Sequence, residues 1–193
     1  MPYRNLSFLP LLFLLVVTGC QASRPISITA KPASIAGKSA DSAIRCNALA
    51  LLGDLLGDEK HLSKILIIKR ESTELNRLVK DISQTAGSGA DLVEATAKSE
   101  PGLDLSRTDL PVGELATRKA IAKTKQHLIL HNQNEEFEFQ MLLTQSQAMS
   151  YGAHLAAVIA ENTPNPERSK EFSLLAIHLE QLQERALVLL RNR

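Results

Sequence analysis

The stretch PERSKEFSLLAIHLEQLQERALVLLR, residues 166–191, decides the fold. Within it Phe172, Leu175, Leu179, Leu182, Ala186 and Leu189 recur at steps of 3, 4, 3, 4 and 3. On a helix of 3.6 residues per turn these side chains fall on one narrow stripe, which calls for close, nearly antiparallel packing against other helices. Just upstream, Asn162-Thr163-Pro164-Asn165-Pro166 breaks the chain, and Thr163 or Asn165 is placed to cap the helix, with a proline in its first turn.

The same period extends toward the N-terminus. Phe137, Met141, Leu142, Ala148, Met149, Gly152, Leu155, Ala156 and Ile159 mark a second amphipathic face. His131-Asn132-Gln133-Asn134 separates it from a third, which begins near Pro111 and includes Leu115, Ile121, Leu128 and Ile129. A fourth series runs from Leu62 through Ile65, Ile68, Leu75, Leu78, Val79, Ile82, Ala86 and Ala90 to Val93. Its phase passes through Ser72 and through Gly87-Ser88-Gly89, so the spacing predicts one helix over 58–99, with two helices hinged at the glycines as the alternative. The glycines also suit a close approach of two helices. Residues 100–112, with Pro101, Gly102 and Pro111, form the longest loop, flanked by Arg107, Asp109 and Glu114.

A shorter helix is expected over 41–56, capped by Asp41 and stopped near Gly57. Strand signals are poor, because Trp is absent and no Asn-Gly or Asp-Gly pair joins alternating runs. Burying four apolar stripes at once calls for an all-α fold: an antiparallel four-helix bundle, up-down in connectivity, with the short N-terminal helix across one end. Residues 41–193 make up this domain.

The first 40 residues have a different composition. Arg4 precedes a run from Leu6 to Val17 that is apolar except at Ser7 and Pro10. At about 12 residues it is too short to span a bilayer, which takes about 20. Val17-Thr18-Gly19-Cys20 then follows, and this arrangement resembles the lipobox of bacterial lipoproteins. The resemblance implies a signal peptide over 1–19, cleavage before Cys20, a diacylglycerol thioether on Cys20 and an acylated amine. An ordinary cleaved signal peptide with an incidental cysteine is the alternative. Gln21 follows Cys20, where Asp would resemble an inner-membrane retention signal, so the expected address is the outer membrane, facing the periplasm, with inner-membrane anchoring as the alternative. Residues 20–40, with Pro25, Pro32 and Gly37, read as the acylated cysteine and a tether with a reach on the order of 25 Å. Cys46 is then left as a small buried hydrophobe or an intermolecular link.

Charge narrows the function classes. Lys and Arg number 22 against 21 Asp and Glu, and the one basic residue of the leader, Arg4, leaves with it, so the mature chain is balanced. The interspersed charges do not read as a nucleic-acid binder. No Gly-x-Ser-x-Gly motif and no phosphate-cradling loop occurs, so no enzyme is expected.

Metal chemistry in a bundle core calls for Glu-x-x-His pairs, and the sequence has none. The nearest pattern, Asp58 with His61, starts a helix. His127, His131 and Glu135 are spaced by four and would share one face on a continuous helix, where two imidazoles can chelate Zn²⁺ or Cu²⁺. Asn132-Gln133-Asn134 interrupts that face. His154 and His178 stand alone on their helices and are expected half-buried, near each other if the last two helices are antiparallel.

Phe137-Glu138-Phe139-Gln140, Gln145-Ser146-Gln147-Ala148 and Leu175-Ala176-Ile177-His178-Leu179 resemble a ferritin-like helical family of unknown function in secreted bacterial proteins. The resemblance implies an antiparallel four-helix bundle outside the cytoplasm. Of two histidines that recur in that family, His178 matches one, and Gln145 or Gln147 replaces the other. Metal binding therefore does not carry over as a set. The function expected is a lipid-anchored, non-enzymatic scaffold or adaptor with an envelope protein as partner. A metal-binding or storage protein using the bundle histidines is the alternative. No cofactor beyond the lipid is expected.

Overall fold

A computed structural model describes residues 33–67, 72–100, 103–106, 108–132 and 134–193. The segment read as a signal peptide, Cys20 and the first part of the segment read as a tether lie outside the described residues. The elements are α1 (Ala33–Glu59), a 3₁₀ turn (Leu62–Ile67), α2 (Thr73–Ser99), α3 (Val112–His131), α4 (Asn134–Glu161) and α5 (Pro166–Arg191). The described chain is all-helical, as the apolar periods require.

Local chemistry sets the helix ends. Asn165 Oδ1 accepts from the amides of Glu167 and Arg168, both at 3.0 Å, with Pro166 opening α5. Asn165 is thus the cap, while the Thr163 hydroxyl donates back to the Ile159 carbonyl at 2.6 Å. Ser72 caps α2, accepting from the Leu75 amide at 3.4 Å. The single helix expected over 58–99 is divided here: α1 runs to Glu59, the 3₁₀ turn follows, and α2 starts afresh at Thr73. Continuity across Gly87-Ser88-Gly89 does hold within α2.

Cross-contacts fix the topology. Arg45 pairs with Glu100 and the Glu59 carbonyl accepts from Ser83, so α1 and α2 are antiparallel. Gly89 lies against Leu175 and Asp81 pairs with Arg185, so α2 and α5 are antiparallel. Gly152 lies against both Leu179 and Leu55, and Ser169 donates to the Ala160 carbonyl. This sets α4 antiparallel to α5, and with the Glu59–Gln145 interaction, antiparallel to α1. The ring is therefore α1, α2, α5, α4. Diagonal helices are parallel and every neighbouring pair is antiparallel.

That order requires a crossover. α2 ends beside Arg45, whereas α4 starts at the opposite end, where Glu138 accepts from the Ser72 amide. The chain must return the length of the bundle, and the 20 residues of α3 span about 30 Å at 1.5 Å per residue. The connectivity is thus up-down-down-up with one long crossover, not the up-down order expected. The extra helix is α3, packed on α4 from outside, with Arg118 reaching Tyr151 and Lys125 reaching Gln147. The N-terminal helix instead joins the ring: it begins at Ala33 inside the segment read as tether, and Leu49, Leu52 and Leu56 are fully buried.

The core contains Leu75, Leu78, Val79, Ile82 and Val93 of α2, Phe137, Met141, Leu142, Met149 and Ile159 of α4, and Phe172, Leu175, Leu179 and Leu182 of α5. Each such side chain contributes roughly 1.5–3 kcal/mol relative to exposure. Gly89 brings α2 close to α1, with space bounded by Leu56 and Leu175, and Gly152 does the same for α4 between Leu55 and Leu179. Cys46 is half-buried.

Candidate functional site

Among the described helices, α3 buries least. Ile129 is its one buried residue, while Leu115, Arg118 and Lys125 are half-buried on the same side. Its seam with α4 is largely polar. Arg118 Nε donates to Glu114 at 2.7 Å, its Nη1 donates to the Tyr151 hydroxyl, and the guanidinium lies 5.2 Å from the Tyr151 ring centroid. Lys125 Nζ donates to Gln147 Oε1 at 2.7 Å.

The opposite side of α3 is open. At about 100° per residue, Lys119, Lys123, His127 and His131 fall on the half turned from α4, and all four are exposed. No carboxylate shares that half, since the helix's single acid, Glu114, pairs with Arg118. Val112, Ile121, Leu128 and Leu130 are large apolar residues left exposed on this helix. The sequence period had grouped Ile121 and Leu128 with a buried face. They are exposed because only the edge through Leu115 and Ile129 meets the bundle.

The structure brings together two of the three expected metal-ligating residues. The His127 and His131 rings stack with centroids 3.7 Å apart and 13° between planes. His131 Nδ1 lies 2.9 Å from the His127 carbonyl, so with its proton there Nε2 is left available. Glu135 belongs to the first turn of α4, beyond the break, and no group of three potential metal ligands occurs among the described residues.

His154 and His178 are exposed rather than half-buried. His154 Nδ1 lies 2.7 Å from the Ser150 carbonyl, and the ring borders a groove with Tyr151 and Gln183. His178 borders a different groove, with Asp81 and Arg185. They do not meet, because His178 is one position off the buried Leu175–Leu179 stripe.

A buried polar pair was missed in the sequence. Glu59 continues the α1 series Leu49, Leu52 and Leu56 by one more three-residue step, and Gln145 occupies the α4 series Phe137, Met141 and Met149. Both therefore point where the apolar stripes point, and the two side chains interact. Glu59 Oε2 and Gln145 Oε1 are buried and find no partner among the described residues. Burial pushes the Glu59 carboxyl up to about 7, helped by Asp58, while the Gln145 hydrogen bond and Lys125 pull it down. A charged residue on an apolar phase was the signal available.

Compared with known proteins, the chain matches no family model, no curated protein and no solved structure.

Proposed function

We propose that this chain is a lipid-anchored, non-enzymatic scaffold or interaction module of the cell envelope, facing the periplasm from the outer membrane. The address rests on Val17-Thr18-Gly19-Cys20, with acylation at Cys20 as the link to the membrane. Two or more acyl chains make such anchoring stable. The observation that carries the interaction role is α3. A crossover held by a polar seam presents Lys119, Lys123, His127 and His131 on one open, acid-free half. That half fits an acidic surface on an envelope partner.

Photo-crosslinkers placed at Lys119 and Ile121 in the full lipidated chain test this reading in cells. One dominant adduct, lost with Lys119→Glu/Lys123→Glu and absent from a probe at Glu180 on α5, is expected. Equal labelling from both helices overturns it. Cys20→Ala should abolish acyl labelling and membrane retention.

A second reading, metal binding, is favoured by the exposed His127–His131 stack. Its test is Cu²⁺ and Zn²⁺ titration of the full chain. Stoichiometric uptake lost in His127→Ala supports it, and uptake unchanged by that variant removes it.

A further inference from the structure

Glu59 and Gln145 present more buried acceptors than donors. An ionised carboxylate accepts only, and the Gln145 amide supplies one oxygen and one NH₂ group. Gln145 Oε1 and Glu59 Oε2 are both buried and unpartnered. Turning the amide over does not help an ionised carboxylate, since oxygen would then face oxygen. One hydrogen is missing, and a buried acceptor without one is costly.

Among the described residues, the surroundings do not supply it. From α2, the Ser83 hydroxyl is spent on the Glu59 main-chain carbonyl at 3.3 Å, while accepting from the Ser63 amide of the 3₁₀ turn at 3.0 Å. From α4 comes Gln145. The charged groups that act on Glu59 are Asp58 on its own helix, which opposes ionisation, and Lys125 of α3, which favours it. The Lys125 ammonium is engaged with Gln147, two residues from Gln145.

We propose that Glu59 is a proton-binding site: the folded chain holds a proton on its carboxyl and donates it to Gln145 Oε1. Loss of that proton loosens the end of the bundle where α1 finishes against α2 and α4. The step is a simple acid dissociation, with the proton passing to solvent and the charge remaining on Glu59. The new charge also pulls on Lys125, so the α3 seam responds to the same event. The environment raises the affinity of the carboxyl for its proton into the neutral range, where modest acidification switches it. The Glu59 site lies apart from the outer half of α3, where a partner or metal would bind.

The test is a ¹³C carboxyl titration by NMR on the full chain carrying Cys20→Ala. One glutamate should titrate near neutrality, and its resonance should vanish in Glu59→Gln. Between pH 5 and 8, amides of Gly57–Ser63 and of α3 should exchange faster as Glu59 ionises, after correction for intrinsic rates. In Glu59→Gln, whose NH₂ group supplies the missing hydrogen, that dependence should disappear. A Glu59 carboxyl titrating in the ordinary glutamate range overturns the proposal. So does a midpoint that moves with added K⁺ or Mg²⁺, since a cation would then occupy the pair.

Discussion

A Cβ built on Gly89 would stand 2.8 Å from Leu56 Cδ1, closer than carbon atoms approach in folded chains. Leu175 of α5 closes the other side at 3.2 Å, so three helices converge on this one position. Gly89→Ala is therefore expected to destabilise the fold by about 1–3 kcal/mol, through displacement of packed leucines. Gly87, two residues away, has nothing within 4 Å of such a Cβ. Gly87→Ala should stabilise by up to about 1 kcal/mol, by helix propensity alone. Urea unfolding of the pair measures the contrast, and equal shifts of one sign would refute the close approach.

The α5 cap gives a second expectation. Asn165→Ala removes the acceptor for two helix amides and should lower stability by about 1 kcal/mol. Asn165→Asp keeps the acceptor and adds favourable charge at a helix N-terminus, so it should match or exceed the wild type. Thermal midpoints of the two variants decide this.

Both predictions rest on features visible in the sequence, but other parts of the fold were hidden there for identifiable reasons. The α5 stripe was legible because Phe172 through Ala186 keep one phase without interruption. The break before α2 was not, because Leu62, Ile65, Ile68 and Leu75 follow at steps of 3, 3 and 7, a spacing a continuous helix also gives, while the backbone of Leu62–Ile67 tightens into a 3₁₀ turn. The role of α3 was concealed by counting apolar residues. Ile121 and Ile129 are eight residues apart, about 80° around the helix, and one edge of contact cannot bury both. Position in the ring depends on which ends meet, and pairs such as Arg45–Glu100 carry no local signal. At the candidate site the four-residue spacing of His127 and His131 was readable, whereas Glu135 was separated by the α3–α4 break.

The polar seam of α3 sets an order of opening. Helices with few buried apolar contacts open at lower free energy than the global transition. Amides of α3 should exchange well before those of α5 in native-state hydrogen exchange. Arg118→Ala, which removes both the Tyr151 contact and the Glu114 pair, should speed exchange in α3 several-fold and leave α5 unchanged. Protection in α3 equal to that in α5 would contradict the seam as described.

The Arg45–Glu100 pair closes the opposite end of the bundle. Both terminal guanidinium nitrogens reach the carboxylate, at 3.0 and 2.6 Å, and the Arg45 side chain is only 12% exposed. Glu100→Ala leaves a largely buried cation whose Nε already lacks a partner, so a loss of about 1–3 kcal/mol is expected. Because the pair is shielded, the loss should change little between low and moderate salt. The exposed Lys98–Glu94 pair is the control, and breaking it should move stability by less than about 0.5 kcal/mol.

The pH dependence of stability follows from Glu59 with a definite sign. Its carboxyl is raised in the folded chain from 4.5 to about 7 by burial. Below pH 4.5 both states are protonated, and the contribution is fully present. Between 4.5 and about 7 the unfolded chain ionises while the folded one keeps its proton, so stability falls as pH rises. The total loss is on the order of 3 kcal/mol, complete above about pH 7. Urea unfolding at half-unit steps should show this decline, and Glu59→Gln should remove it. The neighbours then move the upper limit in opposite directions. Asp58→Asn removes a charge that opposes ionisation and should end the decline at lower pH. Lys125→Met removes one that favours it and should extend the decline upward. Shifts of the same sign in these two variants would mean that the titrating group is not Glu59.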